Sequence, residues 1–148
     1  MLITIDQINE FSEEADLHIL SRDYESLERL IERLTSKDFD FEHPFYEAHY
    51  FYTIANCYSL LYEARRVEWH SDDLMKAIIY YRKSLHCIPK PDWLEKPDNT
   101  QAFNDLKTMV LTNLANSLSS QGRALCCIPL YDEAIAINKK NRSNCIKG

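Results

Sequence analysis

The stretch "LTNLANSLSSQGRALCCIPLYDEAIAIN", residues 111–138, carries most of the information on the fold. Apolar residues recur in it at three- and four-residue steps, stop before a single glycine, Gly122, and resume after it. This period is typical of amphipathic helices. Glycine is favoured just past the end of a helix because it adopts a positive φ without strain. The stretch therefore predicts two helices joined by a tight turn at Gly122.

Composition favours helices throughout the chain. The 148 residues are one ordinary domain's worth, and 45% of them are hydrophobic, which is enough for a core. Only two glycines occur, Gly122 and Gly148. Strand-rich folds and phosphate-binding loops need more. The net charge of -6 argues against a dedicated binder of nucleic acid or of anionic membranes.

The periodicity predicts six helices, arranged as three consecutive pairs. Asp6 is the predicted N-cap of the first helix, and Pro44 is expected in the first turn of the third. Pro129 falls inside the sixth helix, where it removes one backbone hydrogen bond. The predicted helices span residues 7–20, 24–34, 45–69, 74–88, 101–121 and 124–137.

The second and third pairs share one pattern of large and small residues. Small residues at the same positions let the two helices of a pair approach closely, and large residues fill the gaps between neighbouring pairs. In the first helix of each pair the matching sets are Phe51, Ile54, Ala55, Tyr58 and Leu111, Leu114, Ala115, Leu118. In the second helix they are Ala77, Tyr81, Ser84 and Cys127, Tyr131, Ala134.

This spacing resembles the tetratricopeptide repeat. The match is best in residues 108–139 and looser in 45–89, where about ten extra residues separate the two helices. Residues 1–37 resemble a degenerate repeat or a capping hairpin. The resemblance implies an all-α fold, with three antiparallel helix pairs forming a short right-handed solenoid. We expect one domain over 1–148, with its best-matching repeat in 98–139.

The end of the array departs from the family. Lys139 stands where the family often has proline, and Cys127 stands where alanine is usual. A polar capping helix after the last repeat is not evident. We therefore expect either that the chain is the N-terminal part of a longer protein or that a partner covers its last helix. That partner could be a second copy, which would make the chain a self-associating scaffold.

The resemblance also implies a binding surface, because the first helix of each pair lines the concave side of such arrays. In members that bind extended peptides, inward asparagines clasp the peptide backbone, since an amide side chain offers both a donor and an acceptor. Asn113 and Asn116 fit this role, and Asn56 repeats the Asn116 position one unit earlier. The remaining candidates for the groove are Tyr52, Thr53, His49 and Ser120.

Two other roles for these asparagines stay open: solvated helix residues, or residues that hold neighbouring helices together. The related clamp for chaperone tails adds lysines, and Tyr52 stands where one is needed, so we do not expect that clamp. The preferred hypothesis is a non-catalytic adaptor or scaffold. It would bind an extended peptide or a partner protein in its concave groove, with no cofactor and no metal.

An enzymatic alternative depends on "RRVEWH", in which Arg65 and His70 form an R-x4-H string. A similar string carries catalysis in a class of helical ribonucleases, and some bacterial defence proteins join such domains to repeats. The alternative is thus a sensing or regulatory part of an RNA-processing protein. Glu68, Asp72 and Asp73 beside His70 match no metal-ligand spacing. No nucleophile elbow, P-loop or zincin motif occurs.

The cysteines and the chain start indicate location. Five cysteines occur, none in a C-x-x-C pair, which favours reduced thiols in a reducing compartment. The start "MLITIDQINEF" lacks the basic and apolar regions of a signal peptide, and no run approaches a membrane span. We expect a cytoplasmic protein with a protein or peptide partner. We expect neither membrane nor nucleic acid among its partners.

Overall fold

The chain folds into six α-helices and one pair of very short strands, as seen in a computed structural model that describes residues 1–65, 72–88 and 97–146. The predicted all-α class is confirmed, with the strand pair as a minor addition. The elements are β1 (Leu2–Ile3), α1 (Ile5–Leu20), α2 (Tyr24–Thr35), β2 (Asp40–Phe41), α3 (Pro44–Arg65), α4 (Asp72–Cys87), α5 (Pro97–Ser120) and α6 (Ala124–Ile146).

The first helix begins differently from the prediction. Thr4, not Asp6, is the N-cap of α1, and Asp6 lies in the first turn. The Thr4 hydroxyl accepts from the Gln7 amide at 3.3 Å, and the Gln7 side chain accepts from the Thr4 amide at 2.9 Å. This reciprocal capping box satisfies two amides that a helix start leaves open, which an aspartate two residues later cannot do. Pro44 opens α3 as predicted.

The last helix is longer than predicted. It continues from Ala124 through Pro129 to Ile146, past the expected end at residue 137. The added residues contain neither proline nor glycine. Their Lys and Arg residues are good helix formers, and they lie before the last turn, which contains no basic residue. The basic run is thus a continuation of the helix.

The strand pair joins the start of the chain to the connector between α2 and α3. β1 and β2 are parallel, with Leu2 opposite Asp40 and Ile3 opposite Phe41. Ile3 is buried in the core beside α1 and α2, so its side chain fixes the register of the pair. Two residues are too few to show the alternation that marks a strand in a sequence, so the pair was not predicted.

The core is built of two clusters that meet at α3. One lies among α1, α2 and α3 and includes Ile8, Leu30 and Ile54. The other lies among α3, α4, α5 and α6, where the small residues Ala55 and Ala115 are fully buried. α3 packs on α1, α2, α4 and α5, and α6 packs on α5. The small residues of the shared pattern therefore lie at helix contacts, as their spacing predicts.

The last helix leaves an apolar face open. Ile128 of α6 occupies the position of Ile78 in α4, one residue after the small residue of the pattern. Ile78 is 4% exposed, packed in the cluster that contains Leu106 and Val110 of α5, whereas Ile128 is 54% exposed. Leu125 and Ile135 of α6 are exposed as well. Thus α5 covers this face of α4, but no helix in the described part of the chain covers the same face of α6.

Two inter-helix turns have the same backbone geometry. Gly122 (φ 79°) ends α5 and Arg22 (φ 56°) ends α1, each in the left-handed region. The Gly122 amide donates to the Ser119 carbonyl and the next amide donates to the Leu118 carbonyl. The amides of Arg22 and of the residue after it bond to the corresponding carbonyls of α1. These are Schellman turns, in which glycine is preferred.

Exchanging the residues at these two turns should move stability in opposite directions. We expect Gly122→Arg to lower the free energy of unfolding by about 1 kcal/mol, because a side chain is strained at positive φ. Arg22→Gly should raise it by several tenths of a kcal/mol for the same reason. Urea denaturation measures both. Equal signs for the two changes would contradict the common turn geometry.

Candidate functional site

The three asparagines singled out by the sequence lie on α3 and α5. Two of them, Asn56 and Asn113, are hydrogen-bonded to each other across these helices. The Asn113 amide nitrogen on α5 donates to the Tyr52 hydroxyl on α3 at 3.0 Å and to Asn56 Oδ1 at 3.4 Å. Asn56 and Asn113 are half-buried, and Asn116 is exposed one turn further along α5. We call Tyr52, Asn56, Asn113 and Asn116 the amide row. It joins α3 to α5.

Two tyrosines from the second helix of each pair hold the row in place. The Tyr81 hydroxyl on α4 donates to Asn56 Oδ1 at 2.6 Å, and the Tyr131 hydroxyl on α6 donates to Asn116 Oδ1. The first pair of residues is 25 apart in sequence and the second is 15 apart. The difference equals the ten extra residues between α3 and α4. Both helix pairs therefore contain the same Asn–Tyr hydrogen bond.

The predicted groove residues include the asparagines but not these tyrosines, which are their hydrogen-bond partners. The sequence does contain a pattern that indicates their position: each tyrosine lies four residues after the small residue of its helix, Ala77 or Cys127. That spacing puts the tyrosine and the small residue on one helix face. It could have placed both hydroxyls toward the partner helix.

The bonds within the row leave other atoms of the same side chains open. Among the described residues, Asn56 Nδ2, Asn116 Nδ2 and Asn113 Oδ1 have no hydrogen-bond partner. The buried side-chain atoms that lack a partner there are His49 Nδ1 and Thr108 Oγ1, so solvent reaches the open amide atoms. The row thus offers donors and an acceptor, which is what a peptide backbone can pair with.

The two hydroxyl residues of the predicted groove are engaged with their own helices. Thr53 is 3% exposed and its hydroxyl donates to the His49 carbonyl at 3.0 Å. The Ser120 hydroxyl donates to the Asn116 carbonyl at 3.1 Å, on an exposed turn. Back-bonding of this kind is common for Ser and Thr inside helices. Thr53 is a core residue, and its expected place on the groove surface is corrected accordingly.

His49 lies beside the row as a neutral aromatic residue. Its ring is half-buried between the rings of Phe45 and Tyr52, at centroid distances of 6.5 and 6.4 Å. Burial lowers the pKa of His49 below its ordinary value, because desolvation penalises the charged ring. The imidazole is therefore neutral at neutral pH. It extends the aromatic edge of Tyr52 rather than adding a charge.

Arg65, the first residue of the R-x4-H string, bridges three helices. Its guanidinium pairs with Glu28 of α2 and lies 3.5 Å from the carboxylate of Asp73 in α4. The hydrogen bond that Arg65 donates to the Glu28 carboxylate raises the pKa of Arg65. His70 and Glu68, on which the rest of the string and the weighed metal site depend, lie outside the described residues. Arg65 thus links α3 to α2 and to α4 through two partly exposed ion pairs.

Cys57, Cys87, Cys126 and Cys127 are free thiols, and no metal cluster forms in the ranges that the structure describes. Burial raises the pKa of Cys57 to about 12. The Cys127 thiol donates to the Ala115 carbonyl of the paired helix at 3.0 Å. A buried thiol whose pKa is raised stays protonated and behaves as a small apolar group.

Comparisons with known proteins find no relative for this chain: no protein-family model, no curated protein and no solved structure matches it. The resemblance to the tetratricopeptide repeat therefore depends on residue spacing, and the packed helices are compatible with a helical repeat. The described helices include none that is both long enough and apolar enough to cross a membrane.

Proposed function

We propose that this chain is a non-catalytic interaction module that binds an extended peptide, or an extended segment of a partner protein, along the amide row. One observation carries the proposal. Tyr81 and Tyr131 donate to the oxygens of Asn56 and Asn116, and the nitrogens of both amides have no hydrogen-bond partner among the described residues. An open amide nitrogen can donate to the carbonyl of a peptide of any sequence.

The proposed arrangement is a short array of tetratricopeptide-like helix pairs. Three features support it: the repeated Asn–Tyr bond, the two Schellman turns, and the packing of α3 on α1 and of α5 on α3. In such an array α1, α3 and α5 line one side, and stacked pairs curve toward that side. The amide row would then lie on the concave surface.

The orientation of the amides favours binding. Free asparagine side chains rotate, and ordering them on binding costs about 0.5–1.5 kcal/mol each. Here Asn113 is held by Tyr52 and Asn56, and Asn56 is held by Tyr81. Much of that ordering cost is already met in the folded chain. A row held in this way suits recognition of a backbone, where affinity comes from several modest hydrogen bonds.

The proposal is tested with peptides selected for binding to the chain from a random twelve-residue display library. We expect the double variant Asn113→Ala/Asn116→Ala to weaken their binding about tenfold or more, since each tenfold is about 1.4 kcal/mol. Fluorescence anisotropy measures the dissociation constants. Asn138→Ala is the matched control, because Asn138 is also an exposed helical asparagine but lies on α6, and it should change affinity less than about twofold.

The same peptides test whether the backbone is what the row recognises. N-methylation of a contacted peptide bond should weaken binding about as much as the double variant does, because it removes the peptide's donor. Alanine at the same peptide position should have a smaller effect. Asn116→Ala alone, on an exposed turn, separates loss of binding from loss of folding. Wild-type affinity of the folded double variant for every selected peptide would rule the row out as the site.

A further inference from the structure

A second site lies at the C-terminal end of α4, apart from the amide row. A cavity of about 480 Å³ opens there, lined by Phe51, Ile79, Arg82, Lys83, His86 and Cys87. It shares no residue with the amide row or with the tyrosines that hold the row. Ligand pockets in proteins usually measure about 300–1,000 Å³, so the cavity has room for a small molecule.

The floor of the cavity is apolar. Ile79 is 49% exposed, although it is a large aliphatic residue on a polar face of α4. Phe51 contributes a ring that packs against the core. Burial, with a smaller effect of Glu47, raises the pKa of Cys87 to about 11, so its thiol is neutral. These three side chains together offer an uncharged surface that water wets poorly.

The rim of the cavity is basic. In the described part of the chain, Arg82, Lys83 and His86 make no ion pair with a carboxylate. The Lys83 ammonium lies 5.6 Å from the ring centre of Phe51, which lines the cavity, and 4.8 Å from that of Tyr80, which lies beside it, a cation–π arrangement with both rings. The helix dipole favours His86 in the last turn of α4, whereas Arg82 and Lys83 lie before that turn. It does not explain the apolar floor that they surround.

We propose that this cavity binds an aliphatic carboxylate. The alkyl chain would lie on Ile79, Phe51 and Cys87. The carboxylate would meet Arg82, whose guanidinium can pair with it through two parallel hydrogen bonds, and the ammonium of Lys83. The site is independent of the proposed peptide binding, so either proposal can fail without the other.

Decanoate is the probe, and isothermal titration calorimetry measures its binding to the full chain. We expect one saturable site with a dissociation constant below about 1 mM. Decanol should bind about tenfold more weakly, and decyltrimethylammonium should show no saturable binding, because the rim repels its charge. Arg82→Gln/Lys83→Gln should weaken decanoate about tenfold or more and change decanol less than about twofold. Ile79→Ser should weaken both ligands.

Lys76→Gln is the matched control. Lys76 lies on the same helix with its ammonium 5.4 Å from the Tyr58 ring centre, but it does not line this cavity, so its variant should keep the wild-type affinity. Circular dichroism checks that the variants fold. Absence of saturable decanoate binding below its micelle concentration would overturn the proposal. Equal binding of the three ligands, or wild-type affinity in both site variants, would overturn it as well.

Discussion

Ile78→Ala is expected to lower the free energy of unfolding by about 3 kcal/mol, and the same change at Ile128 by less than about 0.5 kcal/mol. The two isoleucines hold the same position in α4 and α6. Ile78 is buried in the cluster that α5 shares with α4, and Ile128 is more than half exposed. Removing a buried isoleucine costs transfer free energy and leaves a cavity, whereas an exposed one loses little.

Urea denaturation of both variants at several protein concentrations measures these costs. Similar losses of stability at the two positions would contradict a structure in which α5 covers Ile78 of α4 and no described helix covers Ile128 of α6. A cost at Ile128 that grows with protein concentration would show that a second copy covers α6, because association then adds to the apparent stability. The pair of variants therefore also tests the self-associating scaffold.

Tyr81→Phe is expected to lower the free energy of unfolding by about 1.5–2 kcal/mol, and Tyr131→Phe by less than about 0.5 kcal/mol. Both changes remove one hydroxyl that donates to an asparagine oxygen. Tyr81 is 1% exposed, so its loss leaves Asn56 short of a partner in a half-buried place. Asn116 is exposed, and water can replace the Tyr131 hydroxyl there.

A double-mutant cycle with Asn56→Ala isolates the Tyr81–Asn56 bond from other losses. We expect a coupling free energy of about 1 kcal/mol from thermal or urea unfolding of the four proteins. Additive losses of unfolding free energy would mean that the hydrogen bond between the hydroxyl and the amide does not stabilise the fold. The Tyr131→Phe variant is the matched control, because it removes the same group from an exposed copy of the same bond.

Much of the fold follows from local residue patterns. The helix period, Pro44 and Gly122 act within a few residues, so the sequence alone predicts six helices and the turn after α5. The strand pair depends on Ile3 meeting a segment nearly forty residues away, which no local pattern encodes. The Thr4 cap was missed because Asp6 is an equally good capping residue by type. Only the reciprocal bond with Gln7 distinguishes the two.

The asparagines of the amide row could be singled out from the sequence, but their hydrogen bonds could not. Asn56 and Asn116 occupy equivalent positions, which the shared spacing reveals. Their acceptors are occupied by hydroxyls from the paired helices, and the insertion before α4 hides that correspondence along the chain. For Thr53 the predicted location is wrong. It was expected on the groove surface beside Tyr52, but packing of α3 against its neighbours buries it. Burial depends on which helices surround α3, and that is a property of the whole fold.

Nuclear magnetic resonance of the side-chain amides tests the central claim most directly. Each asparagine NH₂ gives its own pair of signals, which move when a bound peptide accepts a hydrogen bond from it. On titration with a selected peptide, we expect the signals of Asn56 and Asn116 to shift and those of Asn138 to stay. Saturable shifts confined to α2, α4 or α6, with Asn56 and Asn116 unmoved, would contradict binding along the amide row.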